Sequence, residues 1–279
     1  MSDKKTALVT GTTSGIGREL VKGLLARGYL VIAHGRSAEK MEAEVAEWGS
    51  DVQTVIADLS SKADVLRMAD EVRAKAPKLH LVFHNAATVL KERAERDGVE
   101  MTFATNVLAP FVLNQQLEPT LRAGAPSRVI FFFGGGKNVF DADDLQSRKV
   151  PYDGWGALCQ SKNACALLAQ ETARRWAGSG MSVFCTLPGL VYTEGMKQVG
   201  GLFSTLGRPF FRTPEQGART PLWVATEPGL EQKAGTCFGN LLGSGWKNET
   251  RLVSKAKDPA DAAKLWAMLE QLALPTSKA

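Results

Sequence analysis

Gly11-Thr12-Thr13-Ser14-Gly15-Ile16-Gly17 follows a short apolar run, Thr6-Ala7-Leu8-Val9-Thr10, and precedes Leu20, Leu24 and Leu25 at helical spacing. A strand, a glycine turn and a helix in that order let backbone N–H groups approach a pyrophosphate, with the helix N-terminus adding partial positive charge. Gly11, Thr13, Ser14, Gly15, Ile16 and Gly17 are therefore candidate phosphate-binding residues; a plain tight turn is the alternative reading. The second apolar run ends in His34-Gly35-Arg36-Ser37, with no acid. An acid there would bind a ribose 2′-hydroxyl, whereas a 2′-phosphate needs a cation. Arg36 thus points to NADP(H) rather than NAD(H), unless it is a solvated turn residue. In Asp58-Leu59-Ser60, Asp58 has two readings, an acceptor for the adenine amino group or a cap for the next helix. The small residues of Asn85-Ala86-Ala87 permit close approach of a ribose and nicotinamide.

The elements that must position these residues are legible from periodicity. Strands are expected at Thr6 to Thr10, Tyr29 to Ala33, Val52 to Ala57, Leu79 to Phe83, Ser127 to Phe133, Met181 to Thr186 and Gly235 to Phe238. Helical patterns alternate with them, among them one from Ser37 to Trp48, a long one carrying Asn106, and Gly154 to Ala177. That alternation predicts an α/β fold: a single-domain Rossmann fold, residues 1–279, with a doubly wound parallel seven-stranded sheet and helices on both faces. Asparagine is unfavourable inside a helix, so Asn106 is either functional or exposed. Residues 194–214 hold glycines, two prolines and Leu202, Phe203, Leu206, Phe210 and Phe211, where a substrate lid is expected. Core packing is the plainer reading of those apolar residues.

The totals exclude several functions. A net charge of +5 with scattered Lys and Arg argues against nucleic acid as a partner. No apolar run approaches the roughly 20 residues of a membrane span. Cys159, Cys165, Cys185 and Cys237 lack metal-ligand spacing and read as buried, reduced thiols, which suits a cytoplasmic protein. His34, His80 and His84 form no metal cluster, so no metal site is expected.

Thr10-Gly11-x-x-x-Gly15-Ile16-Gly17, Asp58-Leu59, Asn85-Ala86-Ala87, Asn106-Val107 and Pro188-Gly189-x-Val191-x-Thr193 together resemble the short-chain dehydrogenase/reductase superfamily along nearly the whole chain. Thr213-Pro214-Glu215-Gln216-Gly217-Ala218 and Lys264-Leu265-Trp266 look most like its retinol-dehydrogenase-type branch, which prefers NADPH and lipophilic substrates. The resemblance implies that Gly11, Gly15 and Gly17 line the pyrophosphate and Arg36 holds the 2′-phosphate. By the same carry-over Asp58 meets the adenine and Asn85 a ribose. Thr193 and the Val191 backbone, after Pro188 and Gly189, anchor the carboxamide. Asn106 holds a helix kink and a water leading to the active-site lysine, and Lys162 binds the nicotinamide ribose. Dimerisation through the two long helices is a further family expectation.

Two of the family's four catalytic residues are replaced. Its Tyr-x-x-x-Lys motif aligns with Leu158-Cys159-Gln160-Ser161-Lys162, and its serine with Gly134 in Phe131-Phe132-Phe133-Gly134-Gly135-Gly136. Positions i and i+4 share a helix face. General acid catalysis there is worth roughly 10²–10⁴-fold in rate, and leucine donates no proton. Three readings follow. Hydride transfer to an iminium or conjugated acceptor needs no strong acid. Alternatively Tyr152, Asp153, Lys137, Cys159 or Tyr192 supplies the proton, with Tyr192 first and Asp153 together with Trp155 next; a rim aromatic is the plainer role of Tyr192 and a helix N-cap that of Asp153. In the third reading no redox occurs, and the chain is a cyclase or rearrangement catalyst, or an NADP(H)-binding regulatory protein. The first two together are preferred: an NADPH-dependent reductase of a bulky apolar small molecule, in a specialised biosynthetic pathway.

Overall fold

The computed structural model describes residues 4–134, 140–149, 151–191, 211–239 and 258–274. In chain order its elements begin β1 (Thr6–Thr10), α1 (Gly15–Leu25), β2 (Leu30–Gly35), α2 (Ala38–Trp48), β3 (Val52–Ile56), α3 (Lys62–Lys75) and β4 (Leu81–His84). A short hairpin of β5 (Glu95–Arg96) and β6 (Val99–Glu100) leads into α4 (Met101–Phe103), a π-helical turn (Ala104–Leu108) and α5 (Ala109–Ala123). Then come β7 (Ser127–Phe132), α6 (Gly154–Arg175), β8 (Met181–Leu187), α7 (Pro214–Thr226), β9 (Cys237–Gly239) and α8 (Pro259–Ala273).

Seven strands form one parallel sheet in the order β3-β2-β1-β4-β7-β8-β9. The expected α/β class and strand count are both found. Every residue of β4, β7 and β8 is buried, as a sheet covered on both faces requires. Alternate side chains feed two separate cores. Leu8, Val82, Val129, Phe131, Val183 and Cys185 join the core under α3, α5 and α6. Ala7, Val9, Phe83, Ile130, Phe132 and Phe184 join the core under α1 and α7. The period of two in these strands is thus read out as two layers of helices.

Local chemistry explains the helix starts. The Ser37 hydroxyl accepts from the Lys40 N–H at 3.3 Å, capping α2 as expected. Ser61, not Asp58, caps α3, through the Asp64 N–H at 3.3 Å. Asp153 caps α6, through the Trp155 N–H at 3.2 Å. At α7, Thr213 and Gln216 exchange side-chain bonds in a full capping box.

α8 lies across the two long helices. Trp266 packs edge-on against Phe111 of α5, with ring centroids 5.0 Å apart, and under the Arg175 guanidinium of α6 at 4.0 Å. Part of the surface through which family pairing was expected is therefore covered from within the chain. Among the described residues no helix is long and apolar enough to cross a membrane, and no group of side chains is arranged to hold a metal ion. The lid expected at 194–214 lies outside the described residues as far as position 210.

Candidate active site

A cavity of about 370 Å³ opens at the carboxyl ends of the strands, around the point between β1 and β4 where strand order reverses. It draws residues from the loops after six strands. Of the residues singled out from the sequence, Gly11, Thr13, Ser14, Gly15, Ile16, Arg36, Asp58, Leu59, Asn85, Ala86, Lys162, Pro188, Gly189 and Val191 are brought together on its wall. Tyr192 and Thr193 lie outside the described residues, as does Lys137.

The glycine turn is built by close approach. Gly11 has φ +70° and Gly15 φ +59°, backbone that glycine adopts without strain. A Cβ on Gly17 would stand 2.0 Å from the Gly11 carbonyl oxygen and 2.6 Å from Asn85 Nδ2. Gly17 therefore does not line the cavity as expected; it lets α1 pack directly on the turn. Asn85 locks this arrangement, donating from Nδ2 to the Thr10 and Gly11 carbonyls at 2.9 and 3.0 Å. The Ser14 side chain makes no capping bond, and α1 has no acid in its first turn. The end of α1 that faces the cavity is thus a set of donors with no internal anion.

His34 supports the turn from beneath, a role the sequence did not suggest. The Gly11 N–H donates to its Nδ1 at 3.2 Å, and its Nε2 lies 3.1 Å from the Ala57 carbonyl, so Nε2 carries the hydrogen. Burial pushes the imidazole pKa down to about 4. Burial does the same to His84, also to about 4, whose Nε2 meets Asn114 Oδ1 at 2.8 Å. Both folded values lie below the ordinary histidine range, so between about pH 4 and 6.5 the unfolded chain binds more protons. Stability is then complete above that window and falls as pH drops through it. We expect about 2 kcal/mol lost per histidine between about pH 7 and 5 by linkage, read as a falling urea midpoint. A midpoint independent of pH over that range would contradict the buried, neutral assignment.

At the adenosine end Arg36 is exposed at the cavity wall and makes no ion pair among the described residues. Asp58 is more engaged than either sequence reading allowed. Its Oδ1 accepts from the Ser60 N–H and hydroxyl at 2.9 and 2.8 Å, and its Oδ2 pairs with Arg96. Burial alone would raise its pKa, but the Ser60 and Arg96 bonds outweigh it and hold the carboxyl below its usual range.

The opposite end is walled by Thr88, Val89, Thr105, Phe133, Gly134, Trp155, Leu158, Lys162 and residues 188–191. Trp155, Leu158 and Lys162 fall at i, i+3 and i+7 on α6, one stripe facing the cavity. Lys162 has no hydrogen-bond partner among the described residues; removal from water lowers its pKa, with the Cys165 and Cys185 thiols opposing only in part. Gly134 has φ +146°.

Asn106 does not face the cavity and is not exposed; it is 2% accessible, at the centre of the π-helical turn. Its Oδ1 accepts from the Thr88 N–H at 2.8 Å, and its Nδ2 donates to the Thr88 carbonyl at 3.1 Å and the Ser161 hydroxyl at 2.9 Å. The Cys165 thiol donates to its backbone carbonyl at 3.0 Å. Asn106 thus ties the Thr88 wall to α6, beside Lys162, through a break in helix geometry of the kind common at functional sites.

Three candidate proton sources are committed elsewhere. The Tyr152 hydroxyl donates to Glu100 Oε1 at 3.0 Å, and burial pushes its pKa up to about 12. Asp153 is spent as the cap of α6, outside the cavity wall, which corrects its candidacy as a catalytic group. Cys159 is buried and also absent from the wall. Arg212 was missed altogether. Its Nη1 donates to the Pro188 carbonyl at 3.0 Å, its N–H donates to Leu190 O at 2.8 Å, and it forms a parallel bridge with Val191. No local sequence signal links positions 188 and 212. Trp155, named beside Asp153 from the sequence, does line the cavity.

A family model described as short chain dehydrogenase matches residues 5–200. Over 247 residues the chain is 32% identical to retinol dehydrogenase 11 of Mus musculus, covering 85% of this chain and 78% of that protein. It is 34% identical over 281 residues to polyprenol dehydrogenase of Mus musculus, covering 94% and 82% respectively. Among solved structures it is similar to the Pseudomonas aeruginosa RhlG/NADP active-site complex, with a TM-score of 0.68, 26% identity, and 84% and 93% of the two chains covered.

Proposed function

This chain belongs to the short chain dehydrogenase family, on its retinol-dehydrogenase-like branch, and from that premise we propose an NADP(H)-dependent reductase of a bulky apolar molecule that works without a tyrosine acid. One observation carries the reading: the glycine turn, Arg36 and Lys162 face one cavity although Leu158 and Gly134 stand where family members carry hydroxyls. Bound there, a reduced dinucleotide supplies a hydride. The residues fit it. The N-terminus of α1 and the Gly11–Gly15 turn offer N–H groups for a pyrophosphate, and Arg36, without an ion pair among the described residues, offers its guanidinium for a 2′-phosphate. No acid at the end of β2 opposes that phosphate.

Around the reacting centre the walls are largely apolar: Val89, Phe133, Trp155, Leu158 and Leu190. They exclude water and suit a lipophilic substrate, the kind that the names of the retinol and polyprenol relatives also suggest. Lys162 is held on a rigid helix by Asn106 and Ser161 packing beside it, with three ammonium hydrogens to share between ribose hydroxyls and substrate.

NADPH fluorescence titration tests the cofactor, and mass spectrometry of product made with deuterated NADPH tests the redox step. Deuterium in the product supports a reductase; turnover without NADPH consumption would favour a rearrangement. Arg36→Asp should weaken NADPH by roughly 100-fold, since charge-assisted bonds are worth about 1.5–3 kcal/mol and a repulsion is added. NADH should be unaffected. Equal losses for the two would remove the 2′-phosphate assignment.

A further inference from the structure

We infer that the hydride acceptor is a neutral conjugated carbonyl compound, an α,β-unsaturated ketone or aldehyde, whose oxygen is received by the Lys162 ammonium as direct proton donor. This rests on the reading of the cavity as a nicotinamide site. Among the described residues Lys162 is the one charged side chain at that end of the cavity, and none of them accepts its hydrogens. Asn106 bonds to Thr88 and Ser161, and the Ser161 hydroxyl donates to the Leu158 carbonyl; neither bonds to the ammonium. Among the described residues no carboxylate lines that wall, so a cationic iminium would sit beside a like charge that none of them offsets. An acceptor that develops negative charge is favoured instead.

A simple ketone concentrates that charge on one oxygen, and the second donor that would share it is missing at Gly134. A conjugated acceptor spreads it. Hydride adds to the β-carbon, the C=C electrons move to make an enolate, and the dinucleotide leaves oxidised. Lys162 Nζ–H protonates the enolate oxygen; the enol then tautomerises to the saturated carbonyl, and solvent returns a proton to Lys162. An enol is far closer in acidity to an ammonium than an alcohol is, which is the match that efficient proton transfer needs. Desolvation of Lys162 lowers its pKa and strengthens it as a donor. Trp155 and Phe133 on that wall bring aromatic rings against which a conjugated system can pack.

Two measurements test this. The first uses 4-nitrophenol, whose coloured anion mimics an enolate, with no dinucleotide present. Binding at a pH where free probe is mostly un-ionised should raise the phenolate band, and Lys162→Met, checked as folded by circular dichroism, should abolish the rise. A band unchanged in Lys162→Met overturns the proposal. The second uses benzalacetone with deuterated NADPH. Deuterium should appear β to the carbonyl, and kcat should fall at least about 100-fold in Lys162→Met, with an alkaline limb in the parent below the ordinary lysine range. Deuterium on the carbinol carbon, or faster reduction of an N-alkyl iminium, overturns it. If NADPH fails to bind at all, the cofactor reading falls, while the phenolate band still reports on Lys162.

Discussion

Leu158→Tyr should give this chain a carbonyl reductase activity on small apolar ketones, about 100-fold above the parent, the low end of what a positioned general acid contributes. Leu158 already lines the cavity, one helical turn before Lys162 on the same stripe of α6. A phenol there gains the neighbouring ammonium, which lowers its pKa. The gain stays at the low end because Gly134 supplies no second donor. Adding Gly134→Ser is not a simple remedy. At φ +146° a side chain is strained, and its Cβ would meet Leu187 Cδ1 at 3.3 Å. That conformation costs about 1–3 kcal/mol for a residue with a Cβ, so the double variant should be less stable than the single. NADPH oxidation with a ketone series measures the effect. No gain in a folded, NADPH-binding Leu158→Tyr protein would show that position 158 is not presented to the reacting carbon.

Gly17→Ala should be among the most damaging single added methyls at the described glycines. Its Cβ would fall 2.0 Å from a backbone oxygen and 2.6 Å from Asn85 Nδ2, neither of which can yield alone. Moving Asn85 breaks its bonds to Thr10 and Gly11; moving Gly11 breaks its bond to His34. We expect about 3 kcal/mol of lost stability, the upper end for overpacking, and at least a 100-fold loss in NADPH affinity. Gly28→Ala is the control. Gly28 has φ +76° but nothing within 4 Å of the added carbon, so it should cost only about 1 kcal/mol and leave NADPH binding intact. Equal effects of the two substitutions would show that crowding at position 17 is not what matters. Urea denaturation and fluorescence titration separate the two quantities.

What the sequence revealed, and what it hid, follows the range of the interactions. The glycine turn, the Ser37 cap and the seven strands are set by neighbours within a few positions, and the fold agrees with each. Asp58 was ambiguous between a ligand's adenine and the next helix, while Arg96, the residue that claims its Oδ2, comes from a hairpin of two-residue strands too short to show a period. Gly17 was assigned to the ligand because spacing alone does not distinguish a glycine facing a phosphate from one facing a carbonyl. The π-helical turn at Ala104–Leu108 inserts an extra residue into a helical pattern, which periodicity averages away. By periodicity alone Asn106 could be functional or exposed; it is buried, and each of its polar side-chain atoms is used within the protein. His34 was read only for metal binding, and its support of the Gly11 N–H depends on the register of β1 against β2, where Thr10 pairs with His34.

The clasp between Arg212 and residues 188–191 has an evolutionary consequence. Whatever path the chain takes from 192 to 210, it departs and returns through one fixed doorway, with Val191 and Arg212 paired as its two posts. Lengthening a stretch whose ends are already tied costs little, about 0.6 kcal/mol per doubling. Insertions or deletions between those posts can therefore accumulate at little cost in stability while the cavity beneath keeps its shape.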